Sequence, residues 1–405
     1  MAELSVYAYP WDVADLGAQA TIDWAAGNGV DRLMVATAYH SAEVIAPRRT
    51  HRVQTHVEAN VSHLDLSRAG FEELALRNGS LAIERADLFP MLSRAARDAG
   101  VAISGWVVMF HNSDLAQQVP EAALENCFGD RSAHGLCPAN PVVQRYAGKL
   151  VAAVAQTGHF DELMVESLSY LLAGHGHPHE LWAVRMDPVC RALASLCFCS
   201  HCLDRGAAEG IDGRALREWV VESLHRMWNS PVTGLREPDD GNELAALAVV
   251  NTNLGGWIRM RCEVVTELLA SVAAVARAND VRLAMGGPVW ARPLPHSWME
   301  GIDIAACAQH CERIVVMPYY ETSGAVLRDL DFATVLAAPA KFQVAQTLWP
   351  AHHGGRLENL LDKVRLAQTL RFTQFGLYNF SMAPQPVIEW VRAVADVVHA
   401  DRTLV

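Results

Sequence analysis

Short apolar runs alternate along this chain with longer amphipathic segments. We interpret eight apolar runs as buried strands: 4–9, 32–37, 101–110, 163–165, 281–285, 313–317, 342–348 and 374–378. Segments of helical period separate them, such as 18–28 and 88–99, and a glycine follows each of these two as an expected helix end. The pattern therefore predicts parallel strands joined by helices.

Eight strand–helix units predict an α/β fold, a closed (β/α)8 TIM barrel. An open doubly wound sheet is the alternative, but no glycine-rich phosphate turn follows the first strand. Polar and aromatic residues gather after the strands, which predicts long loops at the C-terminal face. We treat 1–405 as one barrel domain, with an insertion and linker region at 171–245. Segments 45–80 and 114–140 are predicted to be long loops, and 244–279 a helix.

Composition narrows the classes of partner. The net charge of -12 argues against nucleic acid or an anionic membrane surface as a partner, and no apolar run is long enough to span a bilayer. The first residues lack a basic region followed by an apolar run, so we expect a cytoplasmic protein. Nine cysteines in such a chain favour thiols or metal ligands over disulfides. Homo-oligomerisation stays open.

A cluster of cysteines predicts a metal site. The segment Cys197-Phe-Cys199-Ser-His-Cys202 places three thiolates close enough to surround one tetrahedral ion, usually zinc. The alternative is that these are reduced cysteines that only pack in the core. A fourth ligand is needed, and the candidates are Cys137, Cys190, Cys127, His201 and His225.

One segment resembles a known family. The run Phe128-Gly-Asp-Arg-Ser-Ala-His-Gly-Leu-Cys137, followed by a helix that opens with Pro141, resembles the zinc-containing family 42 beta-galactosidases over residues 128–220. The resemblance implies a glycosidase-type barrel whose structural zinc is held by Cys137, Cys197, Cys199 and Cys202. It also implies that Glu166, after the fourth strand, is the acid/base. No organic cofactor is predicted.

Two departures separate the chain from that family. Val165 stands where the family has asparagine before the strand-four glutamate, and the interval from Glu166 to Cys197 is longer than in the family. A histidine-rich segment, His175-Gly-His177-Pro-His179-Glu180, lies in that interval. It could form a second metal site, but a solvated loop is the more common outcome for such a segment. We therefore expect a distant relative.

Cleavage of a glycosidic bond usually needs two carboxyl groups on either side of that bond. Glu166 is the first candidate, because an apolar strand would carry it to the cleft. The alternative is a salt-bridged or exposed glutamate. Glu321, after strand six, is the leading second candidate, and Asp12, after strand one, is the next. The usual partner position after strand seven, 346–349, carries no acid.

Other polar and aromatic residues that follow the strands predict a cleft that binds hydroxyl groups. Each of them alone is more often structural. The substrate-binding candidates are Trp11, His40, His111, Asn112, Tyr319, Trp349, His352 and Asn379, and we expect this group and the carboxylates to converge at the C-terminal mouth. Trp106 and Trp290 are further stacking candidates, although Trp106 lies inside its strand.

Three functions fit the sequence. The first is an enzyme acting on a glycoside or a sugar-like polyol by carboxylate acid/base catalysis. The second is a barrel of glycosidase type that does not hydrolyse glycosides, such as an isomerase, lyase or cyclase of a polyhydroxylated metabolite. The third is a sugar-binding pseudoenzyme. Assays on aryl glycosides separate the first from the other two.

Overall fold

Eight parallel strands form a closed barrel in this computed structural model, which describes residues 2–50, 53–67, 69–71, 73–174, 186–229, 242–289 and 293–400. The first strand pairs with both the second and the last, which closes the ring. The barrel prediction is confirmed. The strands are β1 (Glu3–Ala8), β2 (Arg32–Tyr39), β3 (Ala102–Val108), β4 (Glu162–Glu166), β5 (Arg282–Gly286), β6 (Arg313–Val316), β7 (Phe342–Thr347) and β8 (Gln374–Tyr378).

Helices surround the barrel and occupy the loops between its strands. The α-helices are Pro10–Leu16, Ala18–Gly27, Ser80–Glu84, Leu88–Ala99, Ser113–Gln118, Pro141–Ala155, Pro188–Ala194, Ser200–Ala208, Gly213–Trp228, Asn242–Val250, Thr252–Ala278, Ile304–Cys307, Ser323–Leu336, Leu357–Thr369, Gln385–Ile388 and Trp390–His399. Short 3-10 turns span Pro120–Ala122, Leu294–Glu300, Pro339–Lys341 and Pro350–His353. No helix in the described part of the chain is long and apolar enough to cross a membrane.

The N-terminal end of the barrel interior is filled by a charged network. Arg313 donates to Glu162 at 2.7 Å and to Glu3 at 3.1 Å, and Arg32 pairs with Glu3 at 2.8 Å. Arg313 and Glu162 are 3% and 0% exposed at their side chains. Buried charges persist only when they are paired, so these contacts hold several strand starts in one arrangement.

An aromatic layer fills the interior above that network. Trp106 is buried and its indole lies 4.9–5.9 Å, ring to ring, from four tyrosines: Tyr7, Tyr9, Tyr39 and Tyr378. Inward-facing side chains of alternate strands fill a barrel in layers, and here large rings replace the usual branched aliphatic residues. The C-terminal end of the barrel interior therefore lies above a layer of packed aromatic side chains.

Three segments differ from the sequence-based expectation. Segment 45–80 contains part of an antiparallel hairpin (Ala42–Ile45 with Gln54–Val57) as well as short strands and a helix start, and 114–140 contains a second hairpin (Ala123–Glu125 with Arg131–Leu136). Both hairpins are rich in polar residues, which hid their strands. The predicted helix 244–279 is two helices, because the Asn251 side chain accepts a hydrogen bond from Leu254 N at 3.1 Å and starts a new helix.

Candidate functional site

Four cysteines come together beside the barrel. The sulfur atoms of Cys137, Cys197, Cys199 and Cys202 all lie within 4.8 Å of one another, and all four residues are buried. Cys137 Sγ lies 3.5 Å from Cys199 Sγ, 3.6 Å from Cys202 Sγ and 3.8 Å from Cys197 Sγ. Sulfurs at about 2.3 Å around a tetrahedral zinc are about 3.8 Å apart, so the spacing fits such an ion.

The elements around the cysteines explain how a small loop can hold them. Cys137 ends the second hairpin, just before the helix that begins at Pro141, and Cys199 precedes the helix Ser200–Ala208. The Glu125 backbone N–H donates to Cys197 Sγ at 3.4 Å, a contact that favours a thiolate at that sulfur. The expected fourth ligand position, Cys137, is the one that the fold brings to the cluster.

This cluster is connected to the barrel mouth. The hairpin that carries Cys137 pairs with the segment that follows β3: Leu136 N donates to Phe110 O at 3.0 Å, and His111 forms a bridge with Gly135. A metal-braced hairpin would therefore hold the backbone of His111 in place.

Glu166 lies at the C-terminal end of β4, inside the mouth. Its Oε2 accepts a hydrogen bond of 2.9 Å from Trp106 Nε1. A Cβ at Gly286, on the neighbouring strand β5, would lie 3.3 Å from the Glu166 Cα, so the glycine allows this close packing. The residue is partly exposed to the mouth while protein surrounds its carboxyl group.

Burial raises the pKa of Glu166 to about 7. The hydrogen bond from Trp106 lowers the pKa of Glu166, and the negative charge of Glu300 raises it. Glu300 was missed by the sequence analysis. It is buried at the end of the 3-10 turn after β5, and its Oε2 accepts from Ser169 Oγ at 3.4 Å and from Val289 N at 3.3 Å. A carboxylate near a protonatable carboxyl group is a common arrangement for acid catalysis.

Three tyrosine hydroxyls meet within electrostatic reach of Glu166. Tyr9 Oη lies 3.2 Å from both Tyr39 Oη and Tyr378 Oη. Burial raises the pKa of Tyr9 to about 12, so its hydroxyl stays protonated at neutral pH. Neutral hydroxyls can both donate and accept hydrogen bonds, which suits a polyhydroxylated ligand. The sequence patterns placed Tyr9 and Tyr39 in or beside apolar runs and did not mark their hydroxyls.

Two of the predicted histidines stack together. The rings of His40 and His111 lie 4.2 Å apart at an angle of 26°, and His40 also stacks on Tyr39 at 4.2 Å. His40 Nδ1 lies 2.8 Å from Ser41 O. Burial lowers the pKa of His40, so the imidazole is mostly neutral at pH 7.

The aromatic candidates that follow β6 and β7 are Tyr319, Trp349 and His352, and they form one wall of the mouth next to Tyr378. Trp349 lies 5.8 Å from Tyr378 and 5.2 Å from His352, and Tyr319 lies 6.2 Å from Tyr378, ring to ring. The buried Lys363 holds this wall from behind: its Nζ donates to Tyr320 O at 2.7 Å and to His352 O at 2.6 Å.

The remaining candidates have other surroundings. Asp12 is buried, and its Oδ2 accepts from Tyr9 N at 2.9 Å as a cap of the helix Pro10–Leu16. Asn112 similarly caps the helix Ser113–Gln118, accepting from Leu115 N at 3.0 Å. Asn379 is 0% exposed and accepts from Ser381 N at 2.8 Å. Glu321 follows β6 but is exposed to solvent.

Two of the sequence-based hypotheses concern residues that the structure does not describe. The histidine-rich segment 175–180 and Trp290 lie outside the described residues. Cys190, which was a candidate fourth ligand, contacts the Met227 sulfur at 3.6 Å.

Comparison with known proteins supports the fold class. No protein-family model matches this sequence, and no curated protein sequence matches it. The fold is similar to the PgaB (BpsB) glycoside hydrolase domain of Bordetella bronchiseptica (TM-score 0.58, 14% identity, 98% of this chain and 99% of that one). It is also similar to the β-amylase catalytic domain of Paenibacillus polymyxa (0.58, 11%, 98% and 98%).

A third similar structure is a β-galactosidase from the psychrophilic Marinomonas ef1, with a TM-score of 0.53 and 9% identity. That match covers 99% of this chain and 60% of the other. At such identities a likeness shows the fold alone. The chain thus shares the TIM-barrel fold of these three structures, and the comparisons add no support that is specific to family 42.

Proposed function

We propose that the protein is an enzyme that cleaves a glycosidic bond, with Glu166 as the general acid. The observation that carries this proposal is the setting of Glu166: a partly exposed carboxyl group at the end of a barrel strand, with a pKa of about 7. Active sites of such barrels lie at this end of the strands. The similarity of the fold to glycoside hydrolases agrees with the chemistry.

In this mechanism protonated Glu166 donates its proton to the glycosidic oxygen as the bond to the leaving sugar breaks. A water molecule adds to the anomeric carbon, and the proton that this water releases restores protonated Glu166 by way of solvent. Near neutral pH about half of the molecules carry that proton, which is the condition that favours acid catalysis. The charge of Glu300 helps to retain the proton, because a second negative charge nearby disfavours ionisation. Glu300 therefore replaces Glu321 and Asp12 as the carboxylate that we pair with Glu166.

We propose that the substrate is a carbohydrate that need not carry a charged group. Tyrosine hydroxyls, the stacked imidazoles and the rings of Tyr319 and Trp349 surround the mouth. Hydroxyl groups of a sugar bind to the tyrosine hydroxyls and the imidazoles, and the apolar faces of the sugar rings stack on Tyr319 and Trp349.

We propose zinc as a structural ion held by the four cysteines. Soft thiolates in a buried tetrahedral set suit zinc, which would brace the hairpin against the helix Ser200–Ala208 without taking part in the reaction.

A second function is favoured by one observation. The strand β7 ends in Gln346-Thr347, and both residues are buried. Neutral side chains therefore occupy the position where the second catalytic carboxylate of a glycosidase usually stands. The stacked pair His40 and His111 would transfer protons instead, as in an isomerase or lyase acting on a polyhydroxylated metabolite.

A panel of aryl glycosides tests these alternatives. We expect release of the phenol from at least one α- or β-linked sugar, and the Glu166→Gln variant should lose that activity. If no glycoside in a panel that covers the common hexoses, pentoses and N-acetylhexosamines is cleaved, the hydrolase proposal fails and the proton-transfer alternative takes its place.

A further inference from the structure

A second concave surface lies beside the barrel mouth. This cleft, of about 860 Å³, is formed by the helix after β1 and by the segments that follow β2. We call it the Trp11 cleft. The residues that line it and that enter the argument are Trp11, Asp15, Arg48, Arg49, Glu58 and His63. Glu166 does not line it, so the cleft is separate from the proposed site of bond cleavage.

Two buried nitrogen atoms of this cleft lack partners. Among the described residues, neither Trp11 Nε1 nor His63 Nε2 has a hydrogen-bond partner. Their rings lie 5.7 Å apart at 84°, and His63 is only 6% exposed. A buried polar atom without a partner costs about 1–3 kcal/mol, so a pair of them next to a cleft points to a ligand that pairs with both.

The two nitrogens have complementary roles. An indole N–H can only donate, whereas Nε2 of a neutral imidazole accepts when Nδ1 carries the proton. Burial lowers the pKa of His63 to about 4, so the ring is neutral at physiological pH. A hydroxyl group is a single small group that can accept from Trp11 and donate to His63 at once.

The charged side chains of the cleft have hydrogen-bond partners within the protein. Arg49 forms an ion pair with Asp15 and donates to Thr55 Oγ1 at 2.7 Å. Arg48 donates to two backbone carbonyls, Phe380 O and Ala383 O. The residues named above include two arginines and two carboxylates, so neither charge is in excess among them to favour an ionic ligand.

The carboxylate of Glu58 also has hydrogen-bond partners within the protein, since it accepts from the Ser80 hydroxyl and from Ser80 N. A neutral, hydroxyl-rich molecule fits the cleft better than an anion or a cation.

We propose that the Trp11 cleft is a binding subsite for a neutral sugar unit of an oligosaccharide, one of whose hydroxyls bridges Trp11 Nε1 and His63 Nε2. The inference rests on the proposed function, because the cleft adjoins the mouth through Trp11, whose ring stacks on Tyr9 at 4.4 Å. Tyr9 in turn bonds Tyr39 and Tyr378 in the mouth. The cleft and the mouth are therefore neighbours that share an aromatic wall, and the proposal is that one oligosaccharide occupies both.

Direct binding tests this subsite without turnover when every protein in the titration, including the one called wild type, carries Glu166→Gln. The indole N–H resonance of Trp11, assigned with the Trp11→Phe variant, is followed in ¹⁵N-labelled protein during titration with cellohexaose, maltohexaose, chitohexaose and hexagalacturonate. We expect a saturable shift with at least one of the three neutral hexasaccharides. The His63→Phe variant should bind that probe about tenfold more weakly, while His63→Gln, which keeps an acceptor, should stay within about threefold of the wild type.

A matched control is His310→Phe, in the turn before β6 at the opposite end of the barrel, which should bind as the wild type does. The subsite is refuted if none of the neutral probes shifts the Trp11 signal, if only hexagalacturonate binds, or if His63→Phe binds like the wild type. Binding with no cleavage of any glycoside would refute the proposed reaction and leave the subsite standing. Cleavage of a glycoside without this binding would support the proposed reaction and refute the subsite.

Discussion

The cysteine cluster allows the most complete prediction of a perturbation. We expect the purified protein to contain one equivalent of zinc, and the Cys202→Ser variant to lose most of it. Cys202 is fully buried and its sulfur lies 3.6 Å from that of Cys137. A serine hydroxyl at this position is a poor zinc ligand because it does not ionise near neutral pH.

The size of the effect follows from the coupling of metal binding to folding. A ligand that binds only the folded state at a thousand times its Kd stabilises that state by about 4 kcal/mol. With zinc at about a thousand times its Kd, removal of the ion should therefore lower the free energy of unfolding by about that amount. We expect the strand Arg131–Leu136 of the second hairpin and the helix Ser200–Ala208 to be the first segments whose hydrogen exchange becomes faster.

The assay combines metal analysis with hydrogen exchange before and after treatment with a strong chelator. Cys190→Ser is the matched control, because Cys190 is equally buried but contacts Met227 and lies outside the cluster. It should keep one equivalent of zinc. Less than about a tenth of an equivalent in wild-type protein, or unchanged exchange and stability after complete metal removal, would refute the reasoning.

Other perturbations test the interior and the mouth. Arg313→Ala leaves Glu162 buried without its partner and should destabilise the fold by about 3–5 kcal/mol in denaturant melts, whereas Arg392→Ala, in an exposed pair, should change little. Trp106→Phe removes a hydrogen bond that lowers the pKa of Glu166, so the alkaline limb of the rate profile should move to higher pH. Because burial raises the pKa of Glu166 from its ordinary value of 4.5 to about 7, ionisation of this group destabilises the fold as pH rises through that window. Glu166→Gln should therefore be up to about 3 kcal/mol more stable than the wild type at pH 8, with little difference at pH 4. An equal difference at both pH values would contradict this.

The barrel could be predicted from the sequence because its strands are buried on both faces. Run 374–378 has no polar side chain but Gln374 and the Tyr378 hydroxyl, and run 342–348 is apolar at four of its seven positions. The strands Phe342–Thr347 and Gln374–Tyr378 end within a residue of the prediction. The strand Gln54–Val57 could not be found in this way, because it is mostly polar and only its last residue is buried. It is specified by pairing with the nearby strand Ala42–Ile45 rather than by an apolar run of its own.

The site was predictable only where a residue directly follows a strand. Glu166 ends an apolar run, and its position is fixed by β4. Glu300 comes well after β5, in a 3-10 turn, and only the fold brings its charge close to Glu166. Local sequence marks neither the distance nor the burial that makes the two carboxyl groups interact, since both depend on packing between separate loops.

The cysteine cluster lies between these cases. The spacing of Cys197, Cys199 and Cys202 predicts a metal site by itself, since three thiolates in one loop cannot lie far apart. The spacing left the fourth ligand open, and only the resemblance pointed to Cys137. The fold brings Cys137 to the other three through the second hairpin.

The role of Glu166 as proton donor is tested most directly by comparing two leaving groups. On the sugar that the aryl glycoside panel identifies, kcat/KM is measured for wild type and Glu166→Gln with a phenyl glycoside and a 2,4-dinitrophenyl glycoside, at matched folding by circular dichroism. Phenol needs a proton to leave, whereas dinitrophenolate does not. We predict a loss of about 100-fold or more on the phenyl glycoside and a far smaller loss on the dinitrophenyl glycoside. A variant that keeps more than about half of the wild-type rate on the phenyl glycoside, or that loses equally on both, would contradict the assignment.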